Sequence, residues 1–183
     1  MSLADKIMSG KIFITNNFKE TQKLGGEFVK RILLEQGVSL QKKSACIVAL
    51  YGDLGSGKTT FVQGLAKGLG IKRRIISPTF IIVRSYKINI KYQISNIKNT
   101  NKKLKMFYHI DLYRIADEEG INGLGLEEIM EDPQNIVAIE WAEKMERFLP
   151  RKRIDIRFAY LSESKRRITV DIKNQKSNIK NTK

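Results

Sequence analysis

The sequence contains few of the residues that carry redox, zinc or membrane chemistry. Its single cysteine, Cys46, cannot form an internal disulfide and has no second thiol for a zinc site. Because Cys46 opens an apolar segment, we expect a buried and unreactive thiol. No apolar run approaches the roughly 20 residues of a membrane-spanning helix, and the first ten residues lack the hydrophobic stretch of a signal peptide. These absences predict a cytoplasmic protein with no membrane partner.

Acidic residues are also scarce, with 19 Asp and Glu against 34 Lys and Arg, and the net charge is +15. Six lysines lie in residues 87–105 and four in residues 173–183, without any acid, so the rest of the chain carries only +5. Both segments are rich in Asn, Lys and Ser, and both contain the hexapeptide SNIKNT. We interpret 87–105 as a solvated basic insertion and 173–183 as a disordered tail. A phosphate-tracking arm that binds nucleic acid is the alternative.

Residues 1–172 alternate between strand and helix patterns, as expected of a single α/β domain. An Asn17–Glu20 capping box predicts a helix that runs to Gly37, and further helices are predicted at 59–70 and 126–131. The last two strand patterns alternate apolar and polar residues around LSESK, which predicts an antiparallel hairpin. The predicted strands are KIFIT (11–15), ACIVALY (45–51), FIIVRSY (80–86), KMFYHIDLY (105–113), NIVAIEW (135–141), RIDIRFAY (153–160) and RRITVDIK (166–173).

The segment GDLGSGKTT, residues 52–60, joins the most apolar predicted strand to a predicted helix and matches the phosphate-loop pattern G-x-x-x-x-G-K-[ST]. Glycines let successive N–H groups surround a phosphate, and the helix N-terminus adds positive potential. Lys58 is expected to reach the β- and γ-phosphates and Thr59 to bind Mg²⁺. The predicted nucleotide-binding residues are Asp53, Leu54, Gly55, Ser56, Gly57, Lys58, Thr59 and Thr60. We therefore predict a three-layer fold of the P-loop NTPase type, with a largely parallel central sheet and a C-terminal antiparallel hairpin.

Two acids follow apolar strand patterns and are candidates to complete the site. Asp111 ends MFYHID and Glu140 ends IVAIE, and the carboxyl ends of parallel strands meet at one edge of a sheet. Mg²⁺ prefers carboxylate and phosphate oxygens. One carboxylate is expected to hold the metal and the other to orient the attacking water or sense the γ-phosphate. The residues alone do not assign these two roles between Asp111 and Glu140.

Motifs of other nucleotide-binding classes are missing. The N-K-x-D guanine reader is absent, since the Asn-Lys pair at Asn101 lacks the Asp. A small-molecule kinase is expected to have an Arg-bearing lid, for which the cluster Lys72–Arg74 is a weak candidate. A kinase with its own acceptor therefore remains the alternative to an ATPase, and a nucleic-acid-binding module ranks below both.

Four motifs in order, GDLGSGKTT, SPTF at Ser77–Phe80, HIDLYR at His109–Arg114 and EW at Glu140–Trp141, resemble the TsaE family. The resemblance spans about half of the chain. It implies a weak ATPase required for threonylcarbamoyladenosine modification of tRNA, which acts with the TsaB and TsaD proteins and reaches tRNA indirectly through them. The sequence leaves open whether the protein also contacts tRNA directly. Family members usually join the SPTF and HIDLYR strands by a short hairpin, so segment 87–105 departs from the pattern.

The resemblance also implies roles for individual residues. The catalytic set becomes Lys58, Asp111, Glu140 and Thr79, with ATP and Mg²⁺ as cofactors. Thr59 and Glu140 become the metal ligands, Asp111 is needed for hydrolysis, and Thr79 acts as a switch near the γ-phosphate. Structural alternatives remain: Thr79 could simply start a strand, and Trp141 could belong to the core. His109 is expected to hold its strand end in place rather than to transfer a proton.

Overall fold

The computed structural model describes residues 10–34, 44–88, 104–117 and 119–173. Within these ranges, seven strands form one mixed sheet. The strands are β1 (Lys11–Thr15), β2 (Cys46–Tyr51), β3 (Val83–Lys87), β4 (Met106–Asp111), β5 (Asn135–Glu140), β6 (Arg153–Tyr160) and β7 (Arg166–Lys173). The helices are α1 (Phe18–Leu34), α2 (Lys58–Gly68), α3 (Glu119–Asn122) and α4 (Leu126–Glu131), with a 3-10 turn at Ala142–Met145.

The strand order is β1-β7-β6-β2-β5-β4-β3. The four central strands, β6, β2, β5 and β4, are parallel, whereas β3, β7 and β1 are antiparallel to their neighbours. In the register of β4 and β5, Asp111 lies opposite Glu140. The strand order therefore brings both candidate carboxylates to the edge where β2 ends and the phosphate loop begins.

Helices cover both faces of the central strands. Every residue of β2 and of β5 is buried, as expected of strands between two layers. Alternate residues of β2 belong to two different hydrophobic clusters, because successive side chains of a strand point to opposite faces of the sheet. Val48 and Leu50 pack with residues of α1 and α2, and Ile47 and Ala49 pack with residues of α4 and the 3-10 turn.

Glycines allow α1 and α2 to pack closely. A Cβ at Gly25 would lie 2.3 Å from the carbonyl oxygen of Phe61, and one at Gly64 would lie 2.0 Å from that of Gln22. The predicted cap of α1 forms with one difference: the Asn17 side chain accepts from the backbone N–H of Glu20 at 3.0 Å, as in a capping box, but the Glu20 carboxylate accepts from the N–H of Asn16 at 2.8 Å rather than from that of Asn17. Helix α1 is thereby fixed against α2, whose first residue is Lys58.

The predicted fold class is confirmed, with differences in detail. Strand β3 begins at Val83 rather than at Phe80, because the N–H groups of Ile81 and Ile82 bond to the carbonyl of Pro78 in a turn. Helix α3 and the 3-10 turn were not predicted. The predicted end of the first helix at Gly37, most of the basic insertion 87–105 and nearly all of the tail lie outside the described residues.

Two further sequence predictions bear on the described structure. Cys46 is buried, as expected, and burial raises the pKa of its thiol to about 12. Among the described residues, no helix is both long and apolar enough to cross a membrane.

Candidate active site

The phosphate-loop sequence forms a tight turn between β2 and α2. Gly57, immediately before the helix, has φ 103 and ψ 11, and Gly52 has φ 132; residues with a side chain rarely adopt this left-handed region. A Cβ at Gly52 would also lie 2.5 Å from the carbonyl oxygen of Phe158. The backbone therefore requires glycine at these positions. It also leaves the first N–H groups of α2 without partners from preceding helical residues, as in other anion-binding helix ends.

Lys58 is 4% exposed and lies inside the loop. Its Nζ donates to the carbonyl oxygens of Gly52 and, at 2.9 Å, of Asp53, and it lies 4.0 Å from the ring centroid of Trp141. Burial lowers the pKa of Lys58, and nearby carboxylates, Glu140 first, oppose that shift. A buried cation is thus held by neutral carbonyls and an aromatic face, a setting that a phosphate would improve.

Thr59, Glu140 and His109 form a hydrogen-bonded chain beside the loop. The Thr59 hydroxyl donates to Glu140 Oε2 at 2.8 Å, and His109 Nε2 lies 2.7 Å from Glu140 Oε1. Glu140 is 3% exposed and His109 is fully buried. The two predicted metal ligands, Thr59 and Glu140, therefore lie together. His109 does not contact Asp111 on its own strand; it holds the carboxylate of the neighbouring strand, so its structural role extends to the candidate metal ligand.

Asp111 makes a different set of contacts. Its Oδ2 accepts from the hydroxyl of Ser77 and, at 2.7 Å, from that of Thr79, and its Oδ1 accepts from the N–H of Tyr113 at 3.0 Å. The Ser77 and Thr79 hydroxyls also lie 2.6 Å apart. Asp111 thus anchors the turn that precedes β3. Thr79 belongs to this turn and does not start a strand.

Ser77, Thr79, Asp111 and Glu140 line one cleft of about 360 Å³, together with loop residues Leu54–Thr60, Phe80, Tyr113 and Trp141, whereas the buried His109 lies behind it. Trp141 has φ 60 and lines the cleft beside Lys58, while it also packs, half-buried, against the hydrophobic cluster on that face of the sheet. Asp53, a predicted nucleotide-binding residue, contributes its carbonyl oxygen to Lys58 rather than lining the cleft. A hydroxyl and a carboxylate oxygen 2.8 Å apart beside a phosphate loop are a donor set that fits Mg²⁺.

A second cleft of about 340 Å³ lies on the other side of the loop, between the start of α1 and the β6–β7 turn. Gly55, Gly57 and Thr60 belong to both clefts. No sequence pattern indicated this cleft. Phe18, the first residue of α1, is 62% exposed and lines it. Its other lining residues are Asn17, Thr21, Glu163, Ser164 and Arg166.

The C-terminal hairpin supports the loop from the same side. The Tyr160 hydroxyl donates to the carbonyl of Leu54 at 2.7 Å, and Arg166 Nη2 donates to the carbonyl of Gly55 at 3.2 Å. These contacts fix the loop carbonyls and use none of the loop N–H groups, of which that of Ser56 bonds to the carbonyl of Asp53 at 3.2 Å. The sequence carried no signal for them, because the partners are more than 100 residues apart.

Comparison with known proteins identifies the family. A family model described as "Threonylcarbamoyl adenosine biosynthesis protein TsaE" matches residues 15–168. The chain belongs to the TsaE family. Relatives described as tRNA threonylcarbamoyladenosine biosynthesis protein TsaE include one from Bacillus subtilis, 38% identical over 69% of this chain and 70% of the relative. Another, from Rickettsia felis, is 34% identical over 92% of this chain and 84% of the relative.

The fold is also that of a solved structure from the same organism as the first relative. The crystal structure of Bacillus subtilis YdiB superimposes with a TM-score of 0.61 at 27% identity, over 91% of this chain and 87% of that one. The resemblance predicted from four motifs is thus confirmed at the level of family and fold. The individual site residues of this TsaE-family protein remain predictions, although the fold brings Lys58, Thr59, Thr79, Asp111 and Glu140 into one cleft.

Proposed function

We propose that this TsaE-family protein is a weak, Mg²⁺-dependent ATPase that supports threonylcarbamoyladenosine modification of tRNA together with TsaB and TsaD. The observation that supports this most directly is the meeting of Lys58, the Thr59–Glu140 pair and Asp111 in a single cleft at the phosphate loop. Positioning and charge stabilisation are the main requirements of phosphoryl transfer, and these groups provide both.

The loop N–H groups and Lys58 bind the phosphates of ATP. Lys58 exchanges its carbonyl partners for phosphate oxygens on binding, which offsets the burial that lowers its pKa. Thr59 and Glu140 hold Mg²⁺, which when bound supplies charge neutralisation at the phosphate oxygens. His109 keeps Glu140 in place through Oε1, so that Oε2 remains beside Thr59.

Asp111 acts on the hydrolysis step. Because it fixes the Ser77 and Thr79 hydroxyls, it sets the position of the turn that lies beside the γ-phosphate end of the cleft. Thr79 senses whether that phosphate is present, and Asp111 orients the attacking water. The aromatic pair Tyr113 and Trp141, whose centroids are 5.2 Å apart, closes the cleft on that side.

The second cleft accommodates the base and ribose of the nucleotide. It adjoins the loop through Gly55, Gly57 and Thr60, and it offers an exposed aromatic ring, Phe18, together with polar groups from Asn17 and Glu163. A planar base can stack on Phe18, and the polar groups can accept or donate to its edge.

Co-purification combined with an activity assay tests the proposal. We expect recovery of TsaB and TsaD with the protein in a nucleotide-dependent manner, and Mg²⁺-dependent release of phosphate from ATP. Transfer of the γ-phosphate to a nucleoside in the absence of any protein partner would support a small-molecule kinase instead. Failure of both ATP binding and hydrolysis in the intact protein would exclude either enzyme.

A further inference from the structure

A third cleft lies at the opposite end of the parallel strands from the candidate active site. Its volume is about 630 Å³, and it is lined by residues 70–73 after α2, residues 85–88 at the end of β3, and Met106 at the start of β4. None of these residues lines either cleft at the phosphate loop. The proposed ATPase therefore leaves this cleft without a role.

Among the described residues, the charged side chains of this cleft are all positive: Lys72, Arg73 and Lys87 line it, and no described acidic residue does. All three are exposed, and none forms an ion pair with another described residue. A concave surface that carries charge of one sign raises the local concentration of counter-ions and directs charged ligands toward it. Two residues of the cluster Lys72–Arg74, the weak candidate for a kinase lid, thus belong to a basic cleft remote from the phosphate loop: Lys72 and Arg73 line it.

A buried hydroxyl also lies among the lining residues. Tyr86 is 6% exposed, and its ring packs against Phe107 with centroids 6.2 Å apart. Its hydroxyl is buried and has no hydrogen-bond partner in the part of the chain that the structure describes. Because this hydroxyl has almost no accessible surface, a ligand in the cleft does not reach it, and the cations are the groups that the cleft presents to a ligand.

We propose that this basic cleft binds the phosphate backbone of tRNA directly. The proposal rests on the function proposed above, which makes tRNA the nucleic acid of the pathway. A single small anion is usually held by backbone N–H groups and buried donors, as in the phosphate loop. Here the cations are exposed and come from two separate segments, as expected for successive phosphates of a longer chain. The apolar side chains of Ile71, Ile88 and Met106 between them can pack against sugars and bases.

Fluorescence anisotropy with labelled tRNA and the full-length protein tests this assignment. In the variant K72Q/R73Q/K87Q we expect a loss of affinity of about ten-fold or more. Because each phosphate contact contributes about 0.7 to 0.9 to the slope of log K against log salt, the slope should flatten by about 2 to 3. A matched variant, K11Q/R167Q/K173Q, removes three exposed cations from β1 and β7 and should change both quantities much less. The variant Y86F keeps the ring and removes only a buried hydroxyl, so it should leave tRNA binding unchanged.

Two further measurements separate the possible failures. Hydrolysis of ATP should be unchanged in K72Q/R73Q/K87Q, so a loss of tRNA binding with intact hydrolysis supports the cleft. Equal losses of tRNA affinity in the cleft variant and the matched variant would overturn the proposed tRNA site, because they would indicate nonspecific electrostatic attraction. Displacement of tRNA by inorganic phosphate at matched ionic strength, in protein saturated with Mg-ADP, would show that the cleft holds a free anion and would also overturn it. Absence of ATP hydrolysis in the wild type, with tRNA binding still dependent on the cleft, would count against the proposed ATPase alone.

Discussion

The charged side chains at the two ends of the parallel strands differ in burial and in hydrogen bonding. At the carboxyl ends, Lys58, Asp111 and Glu140 are buried, and each is hydrogen-bonded to a named partner. At the amino ends, Lys72, Arg73 and Lys87 are exposed and have no ion pair among the described residues. Buried charges need fixed partners because desolvation is costly, whereas exposed charges are solvated and can be exchanged at little cost.

This contrast matches the two proposed tasks, ATP hydrolysis at one end of the sheet and tRNA binding at the other. Fixed, partnered groups suit chemistry, which depends on position. Exposed cations suit attraction of a flexible polyanion, which depends on the number of charges more than on their exact placement. Substitutions at the two ends should therefore differ in size and in kind.

The largest effect is expected from Lys58→Ala. Removing the cation eliminates a phosphate contact in both the ground and the transition state, so hydrolysis should fall by about a hundred-fold or more and ATP binding should weaken. Lys67→Ala is the matched control, since Lys67 is an exposed lysine in the last turn of the same helix. Steady-state phosphate release and nucleotide titration measure the two effects. Turnover equal to wild type in Lys58→Ala would refute the assignment of the phosphate loop.

Glu140→Gln should have the next largest effect. The amide is nearly isosteric and can still bond to Thr59 and His109, so the fold should persist, but it is a weaker metal ligand than a carboxylate. We expect impaired hydrolysis and a higher Mg²⁺ requirement in metal titrations. Glu143→Gln removes the same charge from an exposed neighbour and should change little. An unchanged Mg²⁺ requirement in Glu140→Gln would transfer the ligand role to Asp111.

Deletion of residues 90–103 and of everything after Gln175 should have a small effect on folding and hydrolysis. Both segments lie outside the described residues, and composition predicts that they are solvated. The ends of the internal segment are already close, because the N–H of Ile88 bonds to the carbonyl of Lys105 at 2.9 Å. The deletion shortens the connection between Ile88 and Lys105 from 16 residues to two. This is three halvings at about 0.6 kcal/mol each, so loop closure should favour folding by about 2 kcal/mol at most.

Thermal melts and phosphate release check the effect of this deletion. Nonspecific binding of polyanions should fall with the loss of the lysines, while the contribution of the basic cleft should persist. Loss of tRNA modification with intact hydrolysis, together with a steep salt dependence of tRNA binding in the wild type, would instead establish the deleted lysines as a functional arm.

The smallest effect concerns Cys46, at the amino end of β2. Its thiol is buried and has a pKa raised to about 12, so the reactive thiolate is rare near neutral pH. A thiol reagent should modify the native protein at least about a hundred-fold more slowly than the protein unfolded in denaturant. Cys46→Ala should leave hydrolysis unchanged. Rapid modification of the native protein would show that this end of the strand opens readily.

Much of the local structure follows from the sequence because local chemistry specifies it. Strands β1, β6 and β7 have the predicted bounds, and the last two have alternating patterns. Helix α4 and the Asn17 cap of α1 are also where the sequence places them. The phosphate loop is specified by its glycines, since left-handed backbone conformations at Gly52 and Gly57 disfavour other residues.

The sequence indicated the candidate carboxylates but not their partners. Asp111 and Glu140 follow strand patterns that end at one edge of the sheet, so their proximity was predictable. Which one meets Thr59 depends on strand order: β5 lies next to β2, and β4 lies one strand farther away. The sequence did not predict a role for Ser77. Its hydroxyl bonds to Asp111, which lies 34 residues farther along the chain, and a serine before proline matches no distinctive pattern.

The sequence by itself determined the elements, the phosphate loop and the family resemblance, because periodicity, turn chemistry and motif spacing act within short stretches of chain. Only the tertiary structure decided how Glu140 divides its two oxygens between Thr59 and His109, how Phe18 came to line a cleft, and how residues 70–73 met the end of β3 in a basic cleft. These arrangements depend on strand order and on helix packing. They join residues far apart in the chain, whose contacts no local pattern records.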